Sequence, residues 1–128
     1  MRSIKISIVT VSFNSAETIR DTIESVLNQT YSDIEYIVVD GNSSDNTMDI
    51  IKEYEPDFSG RMHWVSEPDK GLYDAMNKGI HLATGDFVGI LNSDDTFFNT
   101  EVIEVLSNFH QQNDLDASVG NIMQQNAE

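Results

Sequence analysis

The chain contains no cysteine, so it has no disulfide framework, no thiolate zinc site and no cysteine nucleophile. Basic residues are scarce as well: 7 Lys and Arg stand against 22 Asp and Glu, which gives a formal net charge of -15 at pH 7. Binding to nucleic acids and anionic membranes depends on Lys and Arg side chains near phosphate groups. Nucleic acid is therefore a poor partner, and a phosphorylated small molecule would need a cation, a helix N-terminus or backbone amides to hold it.

Long apolar runs are also missing. Residues 1–15 alternate apolar and polar side chains, and no stretch of about 18 apolar residues occurs anywhere in the sequence. The sequence therefore predicts neither a signal peptide nor a transmembrane segment, and we expect a cytoplasmic protein, in solution or at the inner face of the membrane. A length of 128 residues is typical of a single domain, here 1–128.

Short apolar segments alternate with segments of helical periodicity along the chain. The predicted strands lie at residues 4–13, 35–40, 62–65 and 86–91, with a short last strand at about 117–123. The predicted helices lie at 16–30, after the polar stretch 42–46, at about 72–80 and at 100–111. Gly85 is expected to end the third helix in a left-handed turn. The alternation predicts an α/β fold, a mostly parallel sheet with helices on both faces.

Polar side chains follow four of the predicted strands, at the points where the strands end. They are Ser12 and Asn14, then Asp40, then Asp69 and Lys70, and finally Asp94 and Asp95. Ligands of parallel α/β sheets bind outside the carboxyl ends of the strands. We therefore expect these four groups to converge on one rim of the sheet and to form a binding site there.

The adjacent carboxylates of Asp94 and Asp95 are the sharpest local feature. Neighbouring carboxylates repel one another, so they are favourable only where water or a cation neutralises them. One interpretation is a solvated turn. The other is a site for Mg²⁺ or Mn²⁺, which prefer oxygen ligands and complete their coordination with substrate phosphates. The position on the rim favours the metal site, and such an ion would also let an acidic protein hold a diphosphate.

Asp40, beside Gly41, has two interpretations as well: an ordinary turn residue, or an acceptor for a donor group of a nucleotide base or ribose. Residues 42–46 are expected to cap a helix rather than cradle phosphate, because the sequence lacks the glycine-rich nucleotide loops. Lys70 is a better candidate than Lys78 for a phosphate contact. The three histidines lack metal-ligand spacing.

Four segments together resemble one family. In order along the chain they are residues 7–14 (SIVTVSFN), 38–47 (VVDGNSSDNT), 67–79 (EPDKGLYDAMNKG) and 85–95 (GDFVGILNSDD). They are similar, in content, order and spacing, to the successive motifs of family 2 glycosyltransferases with the GT-A fold. The resemblance implies the Rossmann-like, nucleotide-sugar-binding half of that fold, and an enzyme that transfers a sugar from a nucleoside diphosphate donor with the help of Mn²⁺ or Mg²⁺.

The resemblance also implies roles for individual residues. The nucleotide-binding residues would be Thr10, Ser12, Phe13, Asn14, Asp40, Asp69, Lys70, Asn92, Ser93 and Asp94. Of these, the first four would surround the nucleoside, and Asp40 would contact the base. Asp94 and Asp95 would hold the metal ion, with the direct ligand of the two left open.

The chain departs from the family pattern in two ways. Many relatives begin the acidic motif with Asp, whereas this chain has Asn92, so a ribose contact there would be neutral or absent. Family domains usually continue for roughly another hundred residues, so we expect a chain truncated before the acceptor half, with the general base beyond Glu128. The implied reaction is an inverting transfer from a UDP-sugar to a saccharide or lipid-linked acceptor in polysaccharide biosynthesis, and uncovered apolar surface predicts self-association into a homo-oligomer.

Two other functions are open from the sequence. A chain of this length could bind a nucleotide or nucleotide sugar without turnover. A nucleotidyltransferase would share the sheet, but it would need a basic, glycine-rich loop after the first strand, and residues 14–17 (NSAE) do not form one.

Overall fold

In the part of the chain that the structure describes, four parallel strands form one sheet, in which Met62–Ser66 lies beside Ile34–Asp40, followed by Ile6–Ser12 and then Phe87–Ile90. The computed structural model describes residues 4–97, 99–105 and 107. In chain order the elements are β1 (Ile6–Ser12), α1 (Ile19–Leu27), β2 (Ile34–Asp40), α2 (Thr47–Tyr54), a 3₁₀ helix (Glu55–Phe58), β3 (Met62–Ser66), α3 (Leu72–Leu82) and β4 (Phe87–Ile90). The sequence predictions of an α/β fold and a parallel sheet are confirmed.

The register of the sheet brings the carboxyl ends of three strands level with one another. Ser12 of β1 lies opposite Asp40 of β2, and Asp40 lies opposite Ser66 of β3. Leu91, directly after β4, donates its backbone N–H to the carbonyl of Val9 at 2.8 Å. The chain therefore leaves the sheet at one edge four times, and the loops that follow share one side of the molecule.

Helices cover both faces of the sheet because successive strand residues point to opposite sides. Ile8 packs in the larger core beneath α1 and α2, whereas its neighbour Val9 packs against α3. Gly79 lets α3 approach closely, since a Cβ atom there would lie 2.3 Å from Cγ1 of Val9. This packing fixes the N-terminus of α3 near the carboxyl edge of the sheet.

The predicted boundaries differ from the structure at two places. Helix α1 begins at Ile19 rather than at residue 16, because residues 15–18 form a turn in which the Ser15 carbonyl accepts the N–H of Thr18 at 3.0 Å. The left-handed turn predicted at Gly85 is wrong: α3 ends at Leu82, and Gly85 has no positive φ. Gly85 is required for a different reason, because a Cβ atom there would lie 2.6 Å from Oγ of Ser7.

The predicted helix over 100–111 is described in part, with residues 102–105 helical. The rest of that helix and the last predicted strand, at 117–123, lie outside the described residues. Within the described part of the chain, no helix has the length and apolar character needed to cross a membrane.

Candidate functional site

A cleft of about 670 Å³ opens at the carboxyl edge of the sheet. Residues from all four loops at this edge line it: Val11, Ser12, Phe13, Asn14, Ser15, Glu17, Thr18, Asp45, Asp69, Gly71, Leu72, Ala75, Asn92, Ser93 and Asp94. The volume lies within the range of about 300–1,000 Å³ that is usual for small-molecule sites. The location is the one at which parallel α/β sheets bind ligands.

Asn14 joins the loop after β1 to the loop after β2. Its backbone adopts a left-handed conformation with φ of 49°, which Asn tolerates better than most residues. Its Oδ1 accepts the backbone N–H groups of Ser44 at 2.8 Å and Asp45 at 3.3 Å, and its own N–H donates to Oγ of Ser43 at 2.7 Å. The side chain of Asn14 is therefore committed to holding the two loops together.

A second set of contacts joins the loop after β1 to the loop after β4. Oγ of Ser15 and Oγ of Ser93 lie 2.8 Å apart. Behind them, the buried Oγ1 of Thr22 lies 3.0 Å from the carbonyl oxygen of Ser93 and 2.6 Å from that of Asp95. Helix α1 therefore holds the acidic segment after β4 in place against the cleft.

Asp40 lies beneath the cleft and is fully buried. Its Oδ1 accepts hydrogen bonds from Oγ of Ser12 at 2.8 Å and Oγ of Ser43 at 2.6 Å. Its Oδ2 accepts the backbone N–H of Ser43 at 2.8 Å and Oγ of Ser66 at 2.9 Å. Both oxygens are thus occupied by donors from the ends of β1 and β3 and from the loop after β2, and the carboxyl group is absent from the cleft lining.

Asp69 lines the cleft on the side of α3. Its Oδ1 accepts the backbone N–H of Gly71 at 3.0 Å. Gly71 directly precedes α3 with φ of 121°, a conformation that favours glycine. This turn sets Asp69 and Leu72 against the cleft.

The two lysines near α3 differ in their surroundings. The Lys78 ammonium lies 3.0 Å from Glu67 and 3.8 Å from Asp74. Lys70 is exposed, and its ammonium makes no ion pair or hydrogen bond with any of the described residues. Lys70 lies between two residues of the cleft lining, Asp69 and Gly71, without being part of the lining itself.

Asn92, Asp94 and Asp95 form the acidic end of the segment after β4. Asp94 is exposed and lines the cleft. The pKa of Asp95 is raised above its ordinary value by burial and by the neighbouring charge of Asp94. Oδ1 of Asn92 is buried and has no hydrogen-bond partner among the described residues. The segment therefore carries oxygen acceptors whose hydrogen-bonding capacity the described residues do not fill.

Within residues 4–97, 99–105 and 107, no three His, Cys, Asp or Glu side chains converge as a metal-binding group. One or two carboxylates nevertheless fit Mg²⁺ and Mn²⁺, which take most of their remaining ligands from water and substrate phosphates. The oxygen donors of Asp94 and Asp95 have the chemistry that these hard ions prefer.

A sequence model of one family, Glycosyl transferase family 2, matches residues 7–128. The chain belongs to glycosyl transferase family 2. Two relatives support the assignment. An uncharacterized glycosyltransferase of Mycobacterium tuberculosis is 42% identical over 99 residues, which are 77% of this chain and 37% of the relative. A PGL/p-HBAD biosynthesis glycosyltransferase of Mycobacterium bovis is 34% identical over 112 residues, 85% of this chain and 44% of the relative.

Solved structures of similar fold are also glycosyltransferases. Residues 1–349 of TarS from S. aureus, in complex with UDP-GlcNAc, superpose with a TM-score of 0.79 at 25% identity, over 85% of this chain and 32% of that fragment. The mannosyltransferase PcManGT from Pyrobaculum calidifontis, in complex with GDP-Man and Mn²⁺, has a TM-score of 0.72 at 24% identity, over 80% of this chain and 31% of that protein. The fold is the nucleotide-binding half of the GT-A glycosyltransferase fold.

The residues expected to form the site in this family member divide into three groups. Those that line the cleft are Ser12, Phe13, Asn14, Asp69, Asn92, Ser93 and Asp94. Thr10 and Asp40 lie beneath it, where the buried Oγ1 of Thr10 accepts the Tyr36 hydroxyl at 2.8 Å. Lys70 and Asp95 lie beside it. Thr10 and Asp40 are buried and do not line the cleft, and the contacts with the nucleoside that the resemblance implies for them stay predictions.

Several lining residues were not predicted from the sequence: Ser15, Glu17, Thr18, Asp45, Gly71, Leu72 and Ala75. Most precede or begin a helix, and helix starts face the same edge as strand ends in a parallel sheet. Asp45 illustrates the missed signal. It lies two residues before α2 and accepts the N–H of Thr47 at 3.0 Å, and its hydrogen bond with the Thr47 hydroxyl is the largest cause of its lowered pKa. Asp45, from the segment 42–46 in which a helix cap was predicted, thus lines the cleft, whereas the N-cap residue Asn46 makes no side-chain cap hydrogen bond.

Proposed function

We propose that the protein transfers a sugar from a nucleoside diphosphate sugar to an acceptor hydroxyl, with inversion at the anomeric carbon. The observation that carries the proposal is the cleft itself, in which four separate sequence motifs meet at the carboxyl edge of the sheet. TarS, a structural neighbour, has been crystallised with UDP-GlcNAc and with UDP. A UDP-sugar donor and a saccharide or lipid-linked acceptor are therefore the substrates we propose.

We assign the nucleoside to the side of the cleft formed by Phe13 and Asp69. Phe13 is 62% exposed, which leaves an aromatic face for a base to pack on. The diphosphate would lie toward Asp94, on the opposite side of the Ser15–Ser93 contact. Lys70, an exposed cation without a carboxylate partner among the described residues, would approach the diphosphate from the α3 side.

The acidic segment would hold the divalent cation that the family resemblance implies, with Asp94 as the ligand in the cleft and Asp95 beside it. When bound, Mn²⁺ or Mg²⁺ would neutralise the charge that develops on the departing diphosphate. The orphaned Oδ1 of Asn92 would accept a hydroxyl of the ribose, the neutral contact that Asn allows where many relatives have Asp. Ser93, whose hydroxyl contacts that of Ser15, would keep this segment in position beside the cleft.

Ligand-induced stabilisation tests the proposal. A ligand that binds only the folded state at 100 times its Kd stabilises that state by about 2.7 kcal/mol. UDP with Mn²⁺ should therefore raise the Tm of the purified protein by several degrees, measured by calorimetry. Replacing Asp94 and Asp95 together by Asn should abolish the part of the shift that requires Mn²⁺.

A matched control removes two exposed carboxylates outside the cleft, with Asp49→Asn and Asp57→Asn combined. This variant should keep the whole Mn²⁺-dependent shift. Absence of any shift with nucleoside diphosphates would refute the proposed donor site. Turnover is tested separately, by release of UDP from a UDP-sugar with and without saccharide acceptors; binding without release under all conditions would favour a nucleotide-binding module.

A further inference from the structure

Three polar side chains form a row along one side of α1. Thr22 and Ser25 lie in the helix and Gln29 lies two residues beyond its end, and their spacing of three and four residues places them on the same side. Thr22 and Gln29 are buried, although Thr and Gln side chains are mostly exposed in proteins. Buried polar groups need hydrogen-bond partners, and this polar row finds them in the segment after β4.

Two members of the polar row bind the backbone of that segment beyond the cleft. Oγ of Ser25 accepts the N–H of Phe97 at 3.2 Å. Nε2 of Gln29 donates to the carbonyl of Asn99 at 2.7 Å, and Oε1 of Gln29 accepts the N–H of Ile103 at 3.0 Å. The segment after β4 is therefore attached to α1 at several points along the helix.

Thr22, the third member, contacts the tight turn that presents Asp94. The N–H of Asp95 donates to the carbonyl of Asn92 at 3.0 Å, which closes this four-residue turn. Oγ1 of Thr22 lies 3.0 Å from the carbonyl oxygen of Ser93 and 2.6 Å from that of Asp95. The hydroxyl group thus fixes the backbone before Asp94 and after Asp95, while the Asp94 side chain is exposed and lines the cleft.

We propose that the polar row of α1, through Thr22, positions the acidic turn for the divalent cation of the donor complex. This inference rests on the proposed function, in which Asp94 and Asp95 hold the ion. Mg²⁺ demands near-ideal octahedral geometry, so ligands on a turn that has to be ordered first bind the ion less tightly. Thr22 is fully buried and does not line the cleft, so it is a positioning residue that acts through the turn.

Thr22→Val tests the assignment because it removes the hydroxyl group and keeps the branched shape of the side chain. The affinity for UDP is measured by titration calorimetry with Mn²⁺ and again with EDTA, and the ratio of the two affinities isolates the contribution of the ion. We expect Thr22→Val to lower this ratio about tenfold, because the two carbonyl groups lose their donor. The affinity in EDTA should stay close to that of the wild type.

Thr22→Ser keeps a hydroxyl group at the same position and should restore the wild-type ratio. Ser7→Ala is the matched control for a general loss of stability. Ser7 is buried at the amino edge of the sheet, where its Oγ donates to Glu35 at 2.7 Å, so this variant also loses a buried hydrogen bond. We expect Ser7→Ala to lower the Tm and to keep the wild-type ratio.

Ser25→Ala replaces Thr22→Val as the decisive variant if the valine protein does not fold. It removes the acceptor of the Phe97 N–H and leaves the contacts of Thr22 with the turn in place. We expect its ratio to fall by about two- to threefold, because the turn is held less firmly from its far side. An unchanged ratio in Ser25→Ala would then overturn the inference.

The outcomes separate this inference from the proposed function. A lowered ratio in Thr22→Val, with wild-type ratios in Thr22→Ser and Ser7→Ala, supports the positioning role. An unchanged ratio in Thr22→Val, or an equal fall in Thr22→Ser or Ser7→Ala, overturns it while the donor site stands. A wild type that binds UDP equally well in Mn²⁺ and in EDTA also overturns it. Failure of the wild type to bind any nucleoside diphosphate would refute the proposed function itself.

Discussion

The acidic side chains at the two edges of the sheet have different surroundings. At the amino edge, Glu35 is buried and accepts Oγ of Ser7 at 2.7 Å and the N–H of Thr84 at 2.9 Å. At the carboxyl edge, Asp69 and Asp94 line a cleft with acceptor capacity that the described residues leave unused. At the amino edge the carboxyl group of Glu35 is used in hydrogen bonds that stabilise the fold. At the carboxyl edge, acceptors of Asp69 and Asp94 are left unused by the described residues.

Asp40 combines features of both edges. It lies at the carboxyl edge, but its hydrogen bonds are satisfied in the way that those of Glu35 are. Its partners come from the ends of β1 and β3 and from the loop after β2, so it fixes the relative positions of the loops above it. The unused acceptors that line the cleft therefore lie above Asp40, whose two carboxyl oxygens both accept hydrogen bonds.

The largest expected loss of stability follows from removing the carboxyl group of Asp40. Asp40→Ala leaves the hydroxyls of Ser12 and Ser66 and the N–H of Ser43 without their acceptor in a buried position. We expect a loss of about 3 kcal/mol in the free energy of unfolding, measured by urea denaturation. Asp57→Ala, an exposed carboxylate, is the control. A loss below about 1 kcal/mol would contradict the structural role.

An intermediate loss of stability is expected for Glu35→Gln, at the amino edge of the sheet. Burial raises the pKa of Glu35, but hydrogen bonds from the Thr84 N–H, from Ser7 and from the Thr84 hydroxyl, together with the charge of Lys5, lower it below its ordinary value of 4.5. A lowered pKa in the folded state contributes stability above the unfolded-state value, and this contribution is lost as the pH falls through the folded-state value.

Glu35→Gln should therefore cost about 1 to 2 kcal/mol at neutral pH and progressively less below about pH 4.5. Unfolding curves of the two proteins between about pH 7 and pH 3 give the comparison. A difference in stability that is independent of pH would show that packing, and not the ionised carboxyl group, accounts for the loss.

The smallest effect on folding is expected at the cleft rim, with Lys70→Gln. Lys70 is exposed and has no carboxylate partner among the described residues, so the free energy of unfolding should change by no more than about 0.5 kcal/mol. The affinity for UDP should nevertheless fall about three- to tenfold, because a cation near the diphosphate is lost. Lys52→Gln, whose ammonium packs over Trp64, is the control lysine. Unchanged affinity in Lys70→Gln would remove Lys70 from the site.

The position of the site was predictable from the sequence because it follows from topology. Apolar runs mark β1 and β2, parallel strands end at one edge, and the polar residues after them must therefore meet. Asp94 and Asp69 were found in this way. The same reasoning places Asp40 at the edge but not beneath it, because its burial depends on the register that sets Ser12 and Ser66 opposite it.

The finer features of the cleft depend on close approaches that local patterns do not encode. The position of the Asp69 carboxyl group above Gly41 joins residues 28 positions apart, and it exists only once the loops after β2 and β3 are packed. The start of α1 at Ile19 was missed because the residues of the preceding turn also fit a helical pattern. In each case a tertiary contact decides between local conformations that the sequence alone leaves equivalent.

The contact between Ser15 and Ser93 has a consequence for the order of events during synthesis. These two residues, 78 positions apart, both line the cleft, one from the loop after β1 and the other from the segment after β4. A nascent chain that has emerged only as far as α3 contains the loops after β1, β2 and β3, but it lacks the segment that carries Asn92 and Asp94. The proposed affinity for nucleotide should therefore arise only once β4 has joined the edge of β1.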